Sequence, residues 1–127
     1  MTTAYWCVLL AGLLPYLWTA VAKGSGRDFK SRDNHNPREF LERLEGGRKR
    51  AHWAHLNAFE AFPFFAAAVI IAHIVGSNQH TIDMIAVVYV VLRILHGIFY
   101  IFDKSTLRSL VWFGALGCVI ALFIIAP

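Results

Sequence analysis

Four stretches of the chain, each long enough to cross a bilayer and each nearly free of charge, leave little choice about what it folds into. They run from Ala4 to Ala22, from about Arg48 to Gly76, from Met84 to Phe102 and from about Ser105 to Pro127. A crossing takes about 20 apolar residues in helical form, because hydrocarbon offers no partner for an unpaired backbone N–H or C=O. The reading is therefore an all-α membrane protein, a bundle of four transmembrane helices. They are placed at about 4–22, 48–76, 82–102 and 105–126, with one polar loop over about 23–47, all in a single domain over residues 1–127. Pro15 and Pro63 fall inside the first two, where neighbouring helices tolerate a kink. Met1 to Ala22 lacks the basic start of a signal peptide and is apolar for longer than such a segment, so it is read as a retained helix.

Charge then orients the bundle. Of the 12 Lys and Arg residues, nine lie between Lys23 and Arg50, together with five carboxylates. A nucleic-acid footprint needs an unmixed basic face, and this mixed loop does not supply one. Between the second and third stretches, Ser77 to Asp83 holds no Lys or Arg, while the third connection has Lys104 and Arg108 beside it. The positive-inside rule places the first and third loops in the cytoplasm and both termini outside. Within the long loop, Pro37 is placed to open a short helix through Glu45, and Gly46-Gly47 to stop it.

The few polar residues inside the apolar stretches fall in stripes. On a helix of 100° per residue, Arg50, Trp53, Asn57 and Glu60 share an arc of about 80°. Arg93, His96 and Tyr100 share about 60° on the next helix. A charge at the bilayer centre costs on the order of 2.5 to 3.5 kcal/mol, so Glu60 and Arg93 are expected to face inward, toward each other. The bland alternative is a structural ion pair that sets helix register. Pro63 cannot bond the carbonyl of Phe59, which predicts a bend one turn beyond Glu60. Arg108 opens the fourth stretch, where a guanidinium and the positive end of a helix act together on an anion such as a thiolate; the alternative is an arginine that snorkels to lipid phosphates. His52 and His55 fall on the opposite side from Asn57 and Glu60, so no metal site is read there. Cys7 and Cys118 lie in apolar segments without the spacing of a zinc site.

The run Arg50-Ala51-His52-Trp53-Ala54-His55-Leu56-Asn57-Ala58-Phe59-Glu60-Ala61-Phe62-Pro63 resembles the signature of the MAPEG family, the membrane-associated proteins in eicosanoid and glutathione metabolism. Arg93, His96, Tyr100 and the run Thr106-Leu107-Arg108-Ser109-Leu110-Val111-Trp112 resemble that family's third and fourth helices. Asn36-Pro37-Arg38 through Glu45-Gly46 looks most like the bacterial branch, which implies a bacterial inner membrane. The resemblance implies a left-handed four-helix protomer in a homotrimer, with glutathione held between neighbouring subunits near the cytoplasmic side.

Carried over residue by residue, Asn57 and Glu60 would bind the γ-glutamyl end, and His96 and Tyr100 would line the peptide. Arg108 would hold the thiolate, so Arg108 and Tyr100 are the catalytic candidates. Arg93 belongs to the same binding set, and Lys23 or Arg27 of a neighbouring subunit would meet a glutathione carboxylate. One position departs: the residue seven before the glutamate, commonly arginine in glutathione-using members, is Trp53, with Arg50 one turn earlier as a substitute. The expected function is a glutathione-dependent transferase or peroxidase acting on a small lipophilic electrophile or hydroperoxide drawn from membrane lipid. The alternative is a non-catalytic lipid-binding or scaffold protein on the same fold. A proton or ion pathway through Glu60, Arg93 and His96 ranks last, because no inverted repeat accompanies it.

Overall fold

The computed structural model describes residues 1–125 and 127 and is helical throughout its main elements. These are α1 (Thr3–Gly24), a short 3-10 turn (Ser31–His35), α2 (Pro37–Glu42), α3 (Gly46–Ile74), α4 (Gln79–Ile101) and α5 (Ser105–Ile124). The expected end of the last helix at residue 126 lies outside the described residues. Helices α1, α3, α4 and α5 are each long and apolar enough to cross a membrane. α1 lies against α3 and α4, and α5 lies against α4 and α3, so α3 and α4 form the centre.

Small side chains let the helices approach. Ala4, Ala11, Ala68, Ala72, Ala86 and Ala115 are buried among Phe65, Val69, Ile82 and Leu122. The rings of Phe65 and Tyr89 stack at 3.7 Å between centroids, 8° from parallel, and join α3 to α4. Gly97 lets α4 close on α1, for a Cβ there would run into the indole of Trp18. The exterior is the reverse of a soluble protein's: Leu9, Leu13, Leu17, Val91 and Phe113 are all exposed. In water such a surface would aggregate, whereas in hydrocarbon it is the solvated face.

The connections fix which helix ends meet. α3 stops in a Schellman motif, with Gly76 at φ +79°, Ser77 N–H donating to the Ala72 carbonyl and Gly76 N–H to that of His73. Asn78 then caps α4 by accepting from the Thr81 N–H at 3.0 Å. α4 ends the same way, with Asp103 at φ +57° and Lys104 N–H on the Phe99 carbonyl. This tight turn sets the first turn of α5 beside the last turn of α4, which brings Arg108 to Tyr100.

The long loop corrects one expectation. The short helix ends at Glu42, and Gly46 with φ +61° opens α3 where it was expected to stop α2. A glycine pair permits a sharp change of direction and does not itself say on which side the helix lies. Arg48 holds this corner: its Nε donates to the Ala22 carbonyl at 2.9 Å, and its guanidinium meets the Asp28 carboxylate at 2.7 Å. The end of the bundle carrying this loop is called the loop end below, and the end near Thr2 and Ile124 the terminal end.

Candidate functional site

Helical period alone puts Trp53, Asn57 and Glu60 on one face of α3, and Arg93, His96 and Tyr100 on one face of α4. The fold turns these two faces toward α5. Arg93 is only 4% exposed, and its Nη2 donates to the Asn57 Oδ1 at 2.7 Å. Asn57 Nδ2 in turn makes a long 3.4 Å contact with the Glu60 carboxylate. The expected direct pairing of Glu60 with Arg93 is therefore replaced by a relay through Asn57: among the described residues no carboxylate lies within 4 Å of Arg93. The physical reason is desolvation. Taking a carboxylate and a guanidinium out of water together costs several kcal/mol per ion, while a neutral amide satisfies the guanidinium at lower cost and leaves Glu60 at the protomer surface.

Tyr100 is the hub at the loop end. The Arg108 guanidinium lies 4.4 Å from its ring centroid, His96 meets the ring edge-on at 5.6 Å, and Trp53 approaches at 6.4 Å. No carboxylate among the described residues pairs with Arg108. Three hollows open around these groups. One of about 200 Å³ has Arg93, Asn57 and Glu60 on one side and Phe64, Leu116 and Val119 on the other. A second, about 190 Å³, is lined by Asn57, His96, Tyr100, Arg108 and Trp112. The third, about 390 Å³, is lined by Trp53, Leu56, Asn57, Glu60 and Tyr100. Asn57 lines all three, so they meet at its side chain.

Six of the residues singled out in the sequence thus come together: Asn57, Glu60, Arg93, His96, Tyr100 and Arg108. Arg50 does not join them, because its Nε donates to the Ile101 carbonyl at 3.0 Å and so caps α4. Lys23 lies over the Phe29 ring at 5.0 Å, at the end of α1, and Arg27 follows it in the loop with φ +53°. His55 turns to α1, where its Nδ1 is 2.8 Å from the Pro15 carbonyl. The sequence reading assigned no role to Trp112, which lines two of the hollows. Its position four residues after Arg108, hence on the same face of α5, was the available signal.

What unites these residues is a polar seam between three membrane helices, buried at Arg93 and His96, open at Glu60, and ending in an arginine that no carboxylate among the described residues pairs. A model of the MAPEG family matches residues 3–126, nearly the whole chain. The chain belongs to the MAPEG family. No curated protein and no solved structure matches it. MAPEG proteins in general use glutathione and work in the membrane, and membership supports a glutathione- or eicosanoid-related role for this one. The seam suits such a ligand chemically: Glu60 offers an acceptor for an ammonium, Asn57 an amide, and Arg108 a cation for a thiolate.

Proposed function

We propose that this MAPEG protein is a glutathione-dependent transferase or peroxidase that acts on lipophilic electrophiles or hydroperoxides reaching it through the bilayer. The observation that carries the reading is the Arg108 guanidinium, free of any carboxylate among the described residues and held against Tyr100 at the edge of a hollow. Glutathione would bring a thiol nucleophile to that place. An ordinary thiol of pKa about 8.5 is mostly protonated near neutrality, and an adjacent fixed cation shifts the balance to the thiolate. Arg108 supplies that cation, and the aromatic face of Tyr100 fixes its position. Glu60 and Asn57 take the γ-glutamyl end, and His96 and Tyr100 line the peptide. Arg93 holds Asn57 from behind, with its own guanidinium buried.

The proposal includes a homotrimer, in which Lys23 or Arg27 of a neighbouring subunit reaches a glutathione carboxylate. It also includes an orientation with the loop end in the cytoplasm, where glutathione is abundant, and residence in a bacterial inner membrane. A second reading, a lipid-holding scaffold without turnover, is favoured by one observation: Trp53, an exposed residue, places an indole in the lining of the 390 Å³ hollow. Equilibrium binding of glutathione to the detergent-purified protein, with the ultraviolet thiolate band followed in parent and Arg108→Ala, separates the two. Binding with an Arg108-dependent thiolate supports the enzyme. Absence of binding at millimolar glutathione overturns it and leaves the scaffold.

A further inference from the structure

Apart from the seam, the loop end carries a further polar hollow, about 260 Å³, lined by Asp28, Arg32, Asp33, Phe40, Arg43 and Leu44. The chain between α1 and α3 makes it by folding over its own apolar residues: Phe40, Leu41 and Leu44 are buried together with Ala22 near the end of α1 and Ala51 near the start of α3. The two carboxylates of the hollow are engaged. Asp28 meets the Arg48 guanidinium at 2.7 Å, and Asp33 accepts from the Lys30 N–H at 2.8 Å. The two guanidiniums are not. Among the described residues no carboxylate lies within 4 Å of Arg32. Arg43 approaches Asp33 at 3.7 Å and Glu39 at 4.0 Å, both too long for hydrogen bonds. With Arg48 and with Lys30, whose charge reaches Asp28, four cations stand here against the three carboxylates of Asp28, Asp33 and Glu39.

The geometry points to a phosphate-ester site in this hollow: Arg32 and Arg43 donate to the phosphate oxygens, and Phe40 and Leu44 receive the first carbons beyond them. A guanidinium carries parallel N–H donors spaced to meet two oxygens of one phosphate, so two unengaged arginines around one hollow suit that group better than a point charge does. The apolar floor suits an ester rather than the bare ion. Depth names where the ester comes from. α1 has 22 residues, a length of about 33 Å, close to the hydrocarbon thickness of about 30 Å. A hollow whose floor packs with Ala22 therefore lies at the level of the lipid phosphates, within reach of an anionic phospholipid headgroup. A soluble phosphate ester would offer the same oxygens from the aqueous side. The site shares no residue with the seam of Asn57, Glu60, Arg93, His96, Tyr100 and Arg108, and it stands or falls independently of glutathione.

The test titrates the full-length protein in neutral detergent, by calorimetry, with three probes. Short-chain phosphatidylglycerol carries phosphate and chains, glycerol phosphate the phosphate alone, and short-chain diacylglycerol the chains alone. The parent should bind a phosphate-bearing probe saturably and more tightly than diacylglycerol. Arg32→Ala should weaken that binding about two- to fivefold, the range for one exposed charge pair, and the double variant Arg32→Ala with Arg43→Ala about tenfold. Arg38→Ala removes the same charge from an exposed position of the same loop outside the hollow, and should change affinity by less than about twofold. Affinity is read on folded molecules alone, so partial misfolding of a variant does not imitate the effect. Tighter binding of phosphatidylglycerol than of glycerol phosphate makes a lipid headgroup the occupant, and equal binding makes it a soluble ester; both uphold the site. It is overturned if neither phosphate probe binds, if diacylglycerol binds as tightly as phosphatidylglycerol, or if the double variant matches the parent. A loss at Arg38→Ala as large as that at Arg32→Ala also overturns it, by assigning the attraction to the diffuse charge of the loop.

Discussion

The two ends of the bundle use polar residues in opposite ways. At the terminal end, the His73 imidazole sits between the Val69 carbonyl at 2.7 Å and the Thr2 hydroxyl at 3.1 Å, with the Tyr5 ring stacked on it at 4.2 Å. Since a carbonyl only accepts, Nδ1 donates to Val69 and Nε2 accepts from Thr2. Asp83 accepts from the Ala4 N–H at 2.8 Å, tying α4 to the start of α1, and from the Gln79 amide at 2.9 Å. Among the buried side-chain polar atoms described there, the Ser77 hydroxyl lacks a partner. Toward the loop end, Arg108 has no counter-charge among the described residues, Glu60 keeps one long contact, and the hollows with polar linings from α3, α4 and α5 lie around them. Polar groups that complete one another hold helices together, and polar groups left open wait for something else.

The contrast breaks most decisively at Arg108. If that arginine serves a ligand, Arg108→Ala should lower thiol-transfer turnover about 100- to 1000-fold, the size seen when one preorganised charge-stabilising donor is removed. Its melting temperature in detergent should stay near the parent's, because the residue closes no intramolecular ion pair. A large fall in melting temperature would put Arg108 with the structural groups of the other end.

Asn57 lies on the boundary between the two kinds of group, since it serves both Arg93 and the cavities. Asn57→Ala leaves a buried guanidinium without its acceptor, which costs about 2 to 3 kcal/mol, measurable as a lowered midpoint of thermal or denaturant unfolding in detergent. Glu60→Ala should lower stability by less than about 1 kcal/mol, as expected for an exposed group, while weakening glutathione. An equal loss of stability in both variants would restore the direct Glu60 and Arg93 pairing that the geometry replaces.

Much of this was readable from the chain, and the failures share a cause. The four crossings follow from uncharged length, and the two stripes follow from the helical period. The period gives azimuth on each helix, however, and says nothing of axial register between helices. Asn57 and Glu60 are one turn apart on the same face of α3, so the pattern admits either as the partner of Arg93. The same limit made Arg50 look like a substitute at the Trp53 position, although it reaches α4 instead. The Arg48 corner depends on residues about 20 and 26 positions away, beyond any local signal.

The terminal end supplies the converse of the Arg108 test. Asp83→Ala removes the acceptor for the Ala4 N–H at the start of α1, a loss of about 1 kcal/mol by analogy with other helix caps. The melting temperature should fall while thiol transfer per folded molecule stays at the parent value. Lost turnover with an unchanged melting temperature would mean that the completed end also serves the chemistry.

The smallest effect concerns the loop that borders the open end. Asp28 is fully exposed, and its hydrogen bond with Arg48 holds the carboxyl below the usual carboxylate range. Its folded pKa is thus lower than its unfolded one, near 3.9. The ordering it adds is fully present above that unfolded value and is lost as pH falls through the folded one. Backbone hydrogen exchange across residues 24–45, corrected for its intrinsic pH dependence, should therefore be flat from neutrality to about pH 5 and quicken below about pH 4. Because the pair is exposed, added salt should produce a similar loosening at neutral pH. Asp28→Asn should be loose at every pH and respond little to salt. If the parent shows no acid transition, the Arg48 contacts to the Ala22 and Lys23 carbonyls, which carry no titrating group, are enough to hold the corner. In that case the loop corner is fastened by hydrogen bonds that do not depend on pH, and the openness of that end belongs to the groups that line its hollows, those of α3, α4 and α5 among them.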